Sequence, residues 1–118
     1  MVKINCRHVD GVTVVDVVGR ITLGDGSTLL RDTIRGLIAA GEKRILVNLG
    51  EVSYIDSSGL GELVSAFTTV RAEGGELKLL SLTRKVHDLL QITKLYTVFD
   101  IHDDEAQAIA SYALRHAH

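Results

Sequence analysis

Proline is missing from all 118 residues, tryptophan is missing too, and cysteine occurs once. At an average usage near 5%, roughly six prolines would be expected. A proline-rich linker or recognition tract is therefore excluded. The single thiol, Cys6, cannot close an internal bridge, and a chain of this length can bury about two-thirds of its unfolded surface without a disulfide or metal staple. Aromatic residues make up 4%, and 13 Lys and Arg stand against 15 Asp and Glu, for a net charge of −2. That balance lacks the basic footprint and the stacking platforms of a nucleic-acid binder. No apolar run reaches the ~18–20 residues of a bilayer span, and the opening Met1-Val2-Lys3-Ile4-Asn5-Cys6-Arg7 holds no continuous apolar stretch suited to a secretory signal. One cytoplasmic globular domain covering residues 1–118, with no membrane and no direct nucleic-acid partner, is expected.

What is present is periodic. Val2, Ile4 and Cys6 alternate with Lys3, Asn5 and Arg7, which predicts a strand with Cys6 on its buried side. Asp10-Gly11 marks a turn, and Val12 to Val18, β-branched almost throughout, predicts a more central strand that forms a hairpin with the first and stops at Gly19. After the turn chemistry of Gly24-Asp25-Gly26-Ser27, the residues Leu30, Ile34, Leu37 and Ile38 share one helical face, and Gly41 supplies the stop. Arg44 to Leu49 reads as a strand covered on both faces. A second helical stripe runs through Leu60, Leu63, Val64, Phe67 and Val70 to Gly74-Gly75. Leu77 to Leu80 is a further strand, Thr83 a candidate cap for a helix carrying Val86, Leu89 and Leu90, and Thr97 to Ile101 a last strand. Asp103 is the candidate cap of a final helix with Ala106, Ile109, Ala110, Ala113 and Leu114 on its buried face, and Asp104 and Glu105 suit its dipole. The fold class is α/β: an opening hairpin followed by α/β units, giving a mixed sheet with about four helices.

Several familiar chemistries fail on spacing. Gly59-Leu60-Gly61 lacks the third glycine of a dinucleotide fingerprint, since that position is Val64, and there is no phosphate-loop Gly-Lys-Ser/Thr. The histidines His8, His87, His102, His116 and His118 show no zinc-ligand spacing. The basic residues Arg31, Arg35, Lys43, Arg44, Arg84 and Lys85 are interspersed with acids and read as solvated faces. No cofactor or metal is expected. What remains is Asp56-Ser57-Ser58-Gly59-Leu60-Gly61, where a carboxylate and paired hydroxyls meet the start of a helix whose first N–H groups lack internal partners. One reading makes Ser57 or Ser58 an N-cap, Asp56 a turn residue and the glycines tight backbone. Another makes one serine a phosphoryl acceptor, because a helix N-terminus stabilises a phosphate, while the glycines let a partner approach closely.

The segment Val47-Asn-Leu-Gly-Glu-Val-Ser-Tyr-Ile-Asp-Ser-Ser-Gly-Leu-Gly, with Gly74-Gly75-Glu-Leu-Lys-Leu and Val86-His-Asp-Leu-Leu-Gln-Ile-Thr-Lys-Leu downstream, resembles the STAS domain of bacterial anti-sigma factor antagonists, and the resemblance covers nearly the whole chain. It implies that Ser57, directly after the aspartate, is phosphorylated by an anti-sigma factor that is itself a serine kinase. It further implies that the unmodified protein binds that factor and frees the sigma factor, that the phosphorylated form cannot bind, and that a serine phosphatase resets the switch. Asp56 would orient Ser57, Ser58 would cap the helix, and Gly59 would support the switch. ATP and magnesium would belong to the kinase, so this chain would be substrate rather than enzyme. Where family members commonly carry Gly-Glu-Leu-Asp near the acceptor, this chain reads Gly19-Arg20-Ile21-Thr22. Both acidic positions are lost, and Arg20 is expected to favour a nearby phosphate. Arg20, Thr22, Leu23, Gly24, Gly26, Leu60 and Glu62 are the candidate partner contacts. Two rival readings are a STAS-type scaffold that binds partners without phosphorylation, and a small enzyme using Asp56 and Ser57, which lacks a base or metal within the motif.

Overall fold

The computed structural model describes the backbone of residues 2–116 and the side chains of residues 2–112. Strands β1 (Val2–Val9) and β2 (Val12–Ile21) form an antiparallel hairpin. Asp10 and Gly11, both at positive φ (50° and 80°), make the two-residue turn whose twist matches the flanking strands. Helix α1 (Asp25–Ala39) leads to β3 (Arg44–Ile55), α2 (Ser57–Ala72) to β4 (Glu76–Leu82), and α3 (Arg84–Ile92) through a 3-10 turn (Leu95–Thr97) to β5 (Ile101–His102); α4 (Glu105–His116) follows.

The five strands lie in the order β1-β2-β3-β4-β5, with β2 to β5 parallel. Because each parallel strand is added on the same side of its predecessor, right-handed crossovers put α1, α2 and α3 on one face. There Val15, Val17, Val47, Leu49 and Leu79 pack with Leu30, Ile34, Leu63, Val70, Val86 and Leu90. Helix α4 follows the last strand and is free of that constraint. It covers the opposite face, where Ala108, Ile109 and Tyr112 pack on Val12, Val14, Leu46 and Leu80.

β2 and β3 both outrun their predicted lengths. β2 continues through Gly19 to Ile21, and β3 runs six residues beyond Leu49 to Ile55. β3 gains one residue on β2 between Asn48 and Glu51 and another between Val52 and Tyr54. Each bulge breaks the two-residue alternation. Leu49, Val52 and Ile55, three apart, are consequently all buried, a spacing that hides a strand from a period-two search.

Other expectations need correction. Cys6 is exposed; β1 is the edge strand, and only Val2 and Ile4 from its first half pack against the helix layer. The strand expected over 97–101 is a 3-10 turn followed by a two-residue strand, because Phe99 leaves extended geometry to bury itself edge-on against Phe67 at 5.4 Å. Thr83 does stand at the start of α3, but its hydroxyl donates to the Val52 carbonyl at 2.8 Å instead of capping. The last helix is capped by Asp104, which accepts from the Ala106 N–H at 3.2 Å, and not by Asp103. Its buried face is Ala108, Ile109 and Tyr112, with Ala106 and Ala110 exposed. Ala113, Leu114 and His118 lie outside the described side chains.

Candidate functional site

β2 and β3 pair at their last residues, Ile21 with Ile55. The loops leaving them therefore emerge side by side at the carboxyl edge of the parallel strands, where open α/β sheets bind ligands. The Asp56 N–H donates to the Ile21 carbonyl at 3.2 Å, joining the two exits.

Asp56, not Ser57 or Ser58, is the N-cap of α2. Its backbone is extended, and its Oδ1 accepts the Gly59 N–H at 2.9 Å. Its other oxygen, Oδ2, accepts the Leu23 N–H of the β2–α1 loop at 3.0 Å. These N–H donors, Gly59 first and Leu23 next, hold the carboxyl below the usual carboxylate range. A capping carboxylate at a helix N-terminus also complements the dipole.

Ser57 is then the first helical residue, and it is exposed. Ser58 is half-buried, with its Oγ 3.0 Å from Ser27 Oγ. Ser27 spends its own hydroxyl proton on the Thr22 carbonyl at 2.9 Å, so Ser58 is the donor in that pair. The two hydroxyls of the motif are thus unequal: Ser58 is committed to an internal clasp, and Ser57 points to solvent. From sequence Ser27 reads only as part of a turn; its hydroxyl, directly after Gly24-Asp25-Gly26, is the signal of the clasp.

Gly59 and Gly26 are both required by close packing against the end of β2. A Cβ at Gly59 would stand 2.3 Å from the Ile21 carbonyl oxygen and 2.8 Å from both the Ile21 and Ile55 side chains. At Gly26 it would stand 2.6 Å from the Arg20 carbonyl oxygen. Both helices begin hard against the end of β2. Leu60 is likewise buried, at 5% exposure, and leaves the set of surfaces open to a partner, whereas Gly26, though buried, lines the cleft beside α1. Gly61 alone of the motif glycines faces open space.

The remaining candidates form a rim. Arg20, Thr22, Leu23, Gly24 and Leu29 border a cleft of about 720 Å³ beside α1, and Leu23 is 81% exposed. Arg20 lies 5.2 Å over the Tyr54 ring. Since Ile21 and Ile55 point into the helix-covered core, Arg20 and Tyr54 project from the other sheet face. Arg20 is thereby held by an aromatic face and not by the helix N-terminus. Glu62 pairs with Arg31 at 3.6 Å, bridging α2 and α1. Among the described residues, no group of three or more His, Cys, Asp or Glu is placed to hold a metal ion, and no helix is long and apolar enough to cross a membrane.

A mixed sheet with three crossover helices on one face, a lone helix on the other and a solvent-facing serine at the first turn of α2 together define an α/β module with an exposed hydroxyl at a helix N-terminus. The chain matches the STAS domain over residues 3–108, and it belongs to that family. It is 36% identical over 87 residues to the anti-sigma-B factor antagonist of Bacillus subtilis, covering 74% of this chain and 78% of that protein. The crystal structure of a putative anti-sigma factor antagonist from Thermotoga maritima superposes with a TM-score of 0.84 at 24% identity, covering 92% of each chain. The Bacillus cell fate determinant SpoIIAA in its phosphorylated form superposes with a TM-score of 0.73 at 21% identity, covering 93% of this chain and 99% of that one.

Proposed function

We propose that the protein is a bacterial, cytoplasmic anti-sigma factor antagonist whose partner binding is switched by phosphorylation of Ser57. Residues 1–118 act as one unit that is substrate and binding module, not enzyme. Unmodified, the chain binds an anti-sigma factor with serine kinase activity and displaces the sigma factor. The kinase transfers the γ-phosphoryl of ATP to the Ser57 Oγ, the hydroxyl proton leaves to the kinase's base, and ADP departs. A serine phosphatase restores the hydroxyl.

The observation that carries this reading is the inequality of the paired serines: Ser57 is exposed at the first helical position, while Ser58 is tied to Ser27. A phosphoryl group there meets N–H groups and the positive end of the α2 dipole, so the fold tolerates it. It takes the net charge from −2 to roughly −4, with the whole change at one edge of the sheet. The naming of relatives as anti-sigma factor antagonists supplies the partner class.

The test is phosphoryl transfer from ATP by the cognate anti-sigma kinase, mapped by mass spectrometry. Wild-type protein is expected to gain one phosphoryl group at Ser57, and Ser57→Ala none. Transfer to Ser57→Ala at the wild-type level overturns the assignment. Ser57→Asp is expected to weaken binding to the anti-sigma factor; unchanged affinity favours the unphosphorylated scaffold instead.

A further inference from the structure

Strand β1 ends the sheet on one side with half of its backbone facing outward. It runs eight residues, pairs with β2 residue for residue without a bulge, and among the described residues no strand lies on its outer side. Val9 and Val12 flank the two-residue turn as a hydrogen-bonded pair. Alternation along an antiparallel ladder then turns the N–H and C=O groups of Lys3, Asn5, Arg7 and Val9 toward β2, and those of Ile4, Cys6 and His8 outward. The usual protections of a sheet edge are sparse here. β1 holds no proline and no bulge, and of its Lys and Arg side chains Arg7 is folded back onto Asp16 and Glu105, at 2.5 and 2.7 Å.

We propose that this edge is the interface for a second copy of the chain, with the two β1 strands paired antiparallel about a two-fold axis at Cys6. The proposal is independent of the reading of Ser57. Outward groups must meet outward groups, so even-numbered residues oppose even-numbered ones, and two registers then overlap along most of the strand. With the axis at Asn5, Lys3 stands directly opposite the partner's Arg7, and like charges so placed are destabilising. With the axis at Cys6, Lys3 faces the partner's Val9 and Asn5 faces the partner's Arg7, so no like charges meet. That register sets Ile4 opposite the partner's His8, Cys6 opposite the partner's Cys6, and His8 opposite the partner's Ile4, each as a hydrogen-bonded pair. Charge and hydrogen-bond phase thus choose the same alignment. So short an overlap buries less than a standard interface of roughly 1,600 Å², and the dimer is weak and concentration-dependent. It brings the two exposed Cys6 thiols together, with about 5.5 Å between their Cα atoms, inside the range a disulfide spans.

The experiment is analytical ultracentrifugation of the full-length, reduced protein from about 10 μM to about 1 mM. The mass is expected to rise toward twice that of the monomer, and a monomer throughout overturns the proposal. Cys6→Ser is expected to associate as the wild type does, since the backbone carries the pairing; loss of association in that variant overturns it. His8→Pro removes one outward N–H and leaves the bonds to β2 in place, a substitution an edge strand tolerates. With its fold checked by circular dichroism, it is expected to weaken association by about tenfold or more, and undiminished association overturns the edge as the interface. Oxidised glutathione then reads the register in the wild-type protein. One Cys6 thiolate attacks it and releases one reduced glutathione; the partner's Cys6 thiolate displaces the second, leaving a protein disulfide. Desolvation first and Asp16 next push the Cys6 thiol pKa up, so the reaction is run at about pH 8.5. A covalent dimer on a non-reducing gel is expected, and the mixed disulfide with glutathione alone overturns the pairing at Cys6.

Discussion

Gly59 and Gly61 are two residues apart on one helix and answer to different physics. Gly59 is needed because α2 starts against the Ile21 carbonyl, which a Cβ would approach to 2.3 Å. Gly61 meets nothing within 4 Å. Gly59→Ala is therefore expected to cost about 1–3 kcal/mol through forced backbone shifts. Gly61→Ala is expected to stabilise α2 by about 0.5–1 kcal/mol through lower unfolded-state entropy. Urea titration should show the midpoints moving in opposite directions at a constant m-value. Sequence alone shows both as glycines in a turn-to-helix motif, since the Ile21 carbonyl that crowds Gly59 belongs to a strand far earlier in the chain. For the same reason Leu60 reads as a rim residue although the fold buries it.

Among the elements, α4 shows how far periodicity reaches. Its existence and approximate start are legible from an acidic opening and an apolar content, but its buried face is not. Alanine fits either face, and the Ala106, Ile109, Ala110 stripe is as regular as the observed Ala108, Ile109, Tyr112. Tyr112 decides between them. Its ring is fully buried, and its hydroxyl donates to the Ile45 carbonyl of β3. Burial pushes its phenol pKa up, so the group stays a neutral donor. Lys78 Nζ sits 4.6 Å from the same ring and bonds Ser111, so β4 also reads the helix's rotation. Tyr112→Phe removes the hydroxyl and its bond to the Ile45 carbonyl. A loss of about 0.5–1.5 kcal/mol is expected, measured by thermal or urea unfolding. β3 is the complementary case: its first half is plain in the apolar run Ile45-Leu46-Val47, and its second half is masked by bulges that only pairing with β2 reveals.

Over the whole molecule, stability is expected to fall in acid for an identifiable reason. The Arg7 guanidinium, helped by Asn48, holds the Asp16 carboxyl low. Burial works against the charged form of Asp100, but bonds from Lys78 and His102 outweigh it and leave that carboxyl low as well. Asp56 is held low by its two N–H donors. Each group is more acidic folded than unfolded, so its contribution is complete above the ordinary carboxylate value and is lost as pH falls through the depressed one. The melting temperature should be nearly flat from neutrality to about pH 5 and drop steeply below about pH 4. Asp16→Asn should lower it at neutral pH and flatten that acid limb; an unchanged limb excludes Asp16 as a contributor. The α/β order, the hairpin turn, the stripes of α1, α2 and α3 and the Asp56-Ser57-Ser58 motif are legible in the chain, because turns and periodicity are written within a few neighbouring residues. Only the tertiary contacts settle that Asp56 also grips Leu23, that Ser58 is spent on Ser27, and that α4 turns Tyr112 inward. Those choices are contacts between segments 31 to 67 residues apart, and separations of that kind leave no period in the chain.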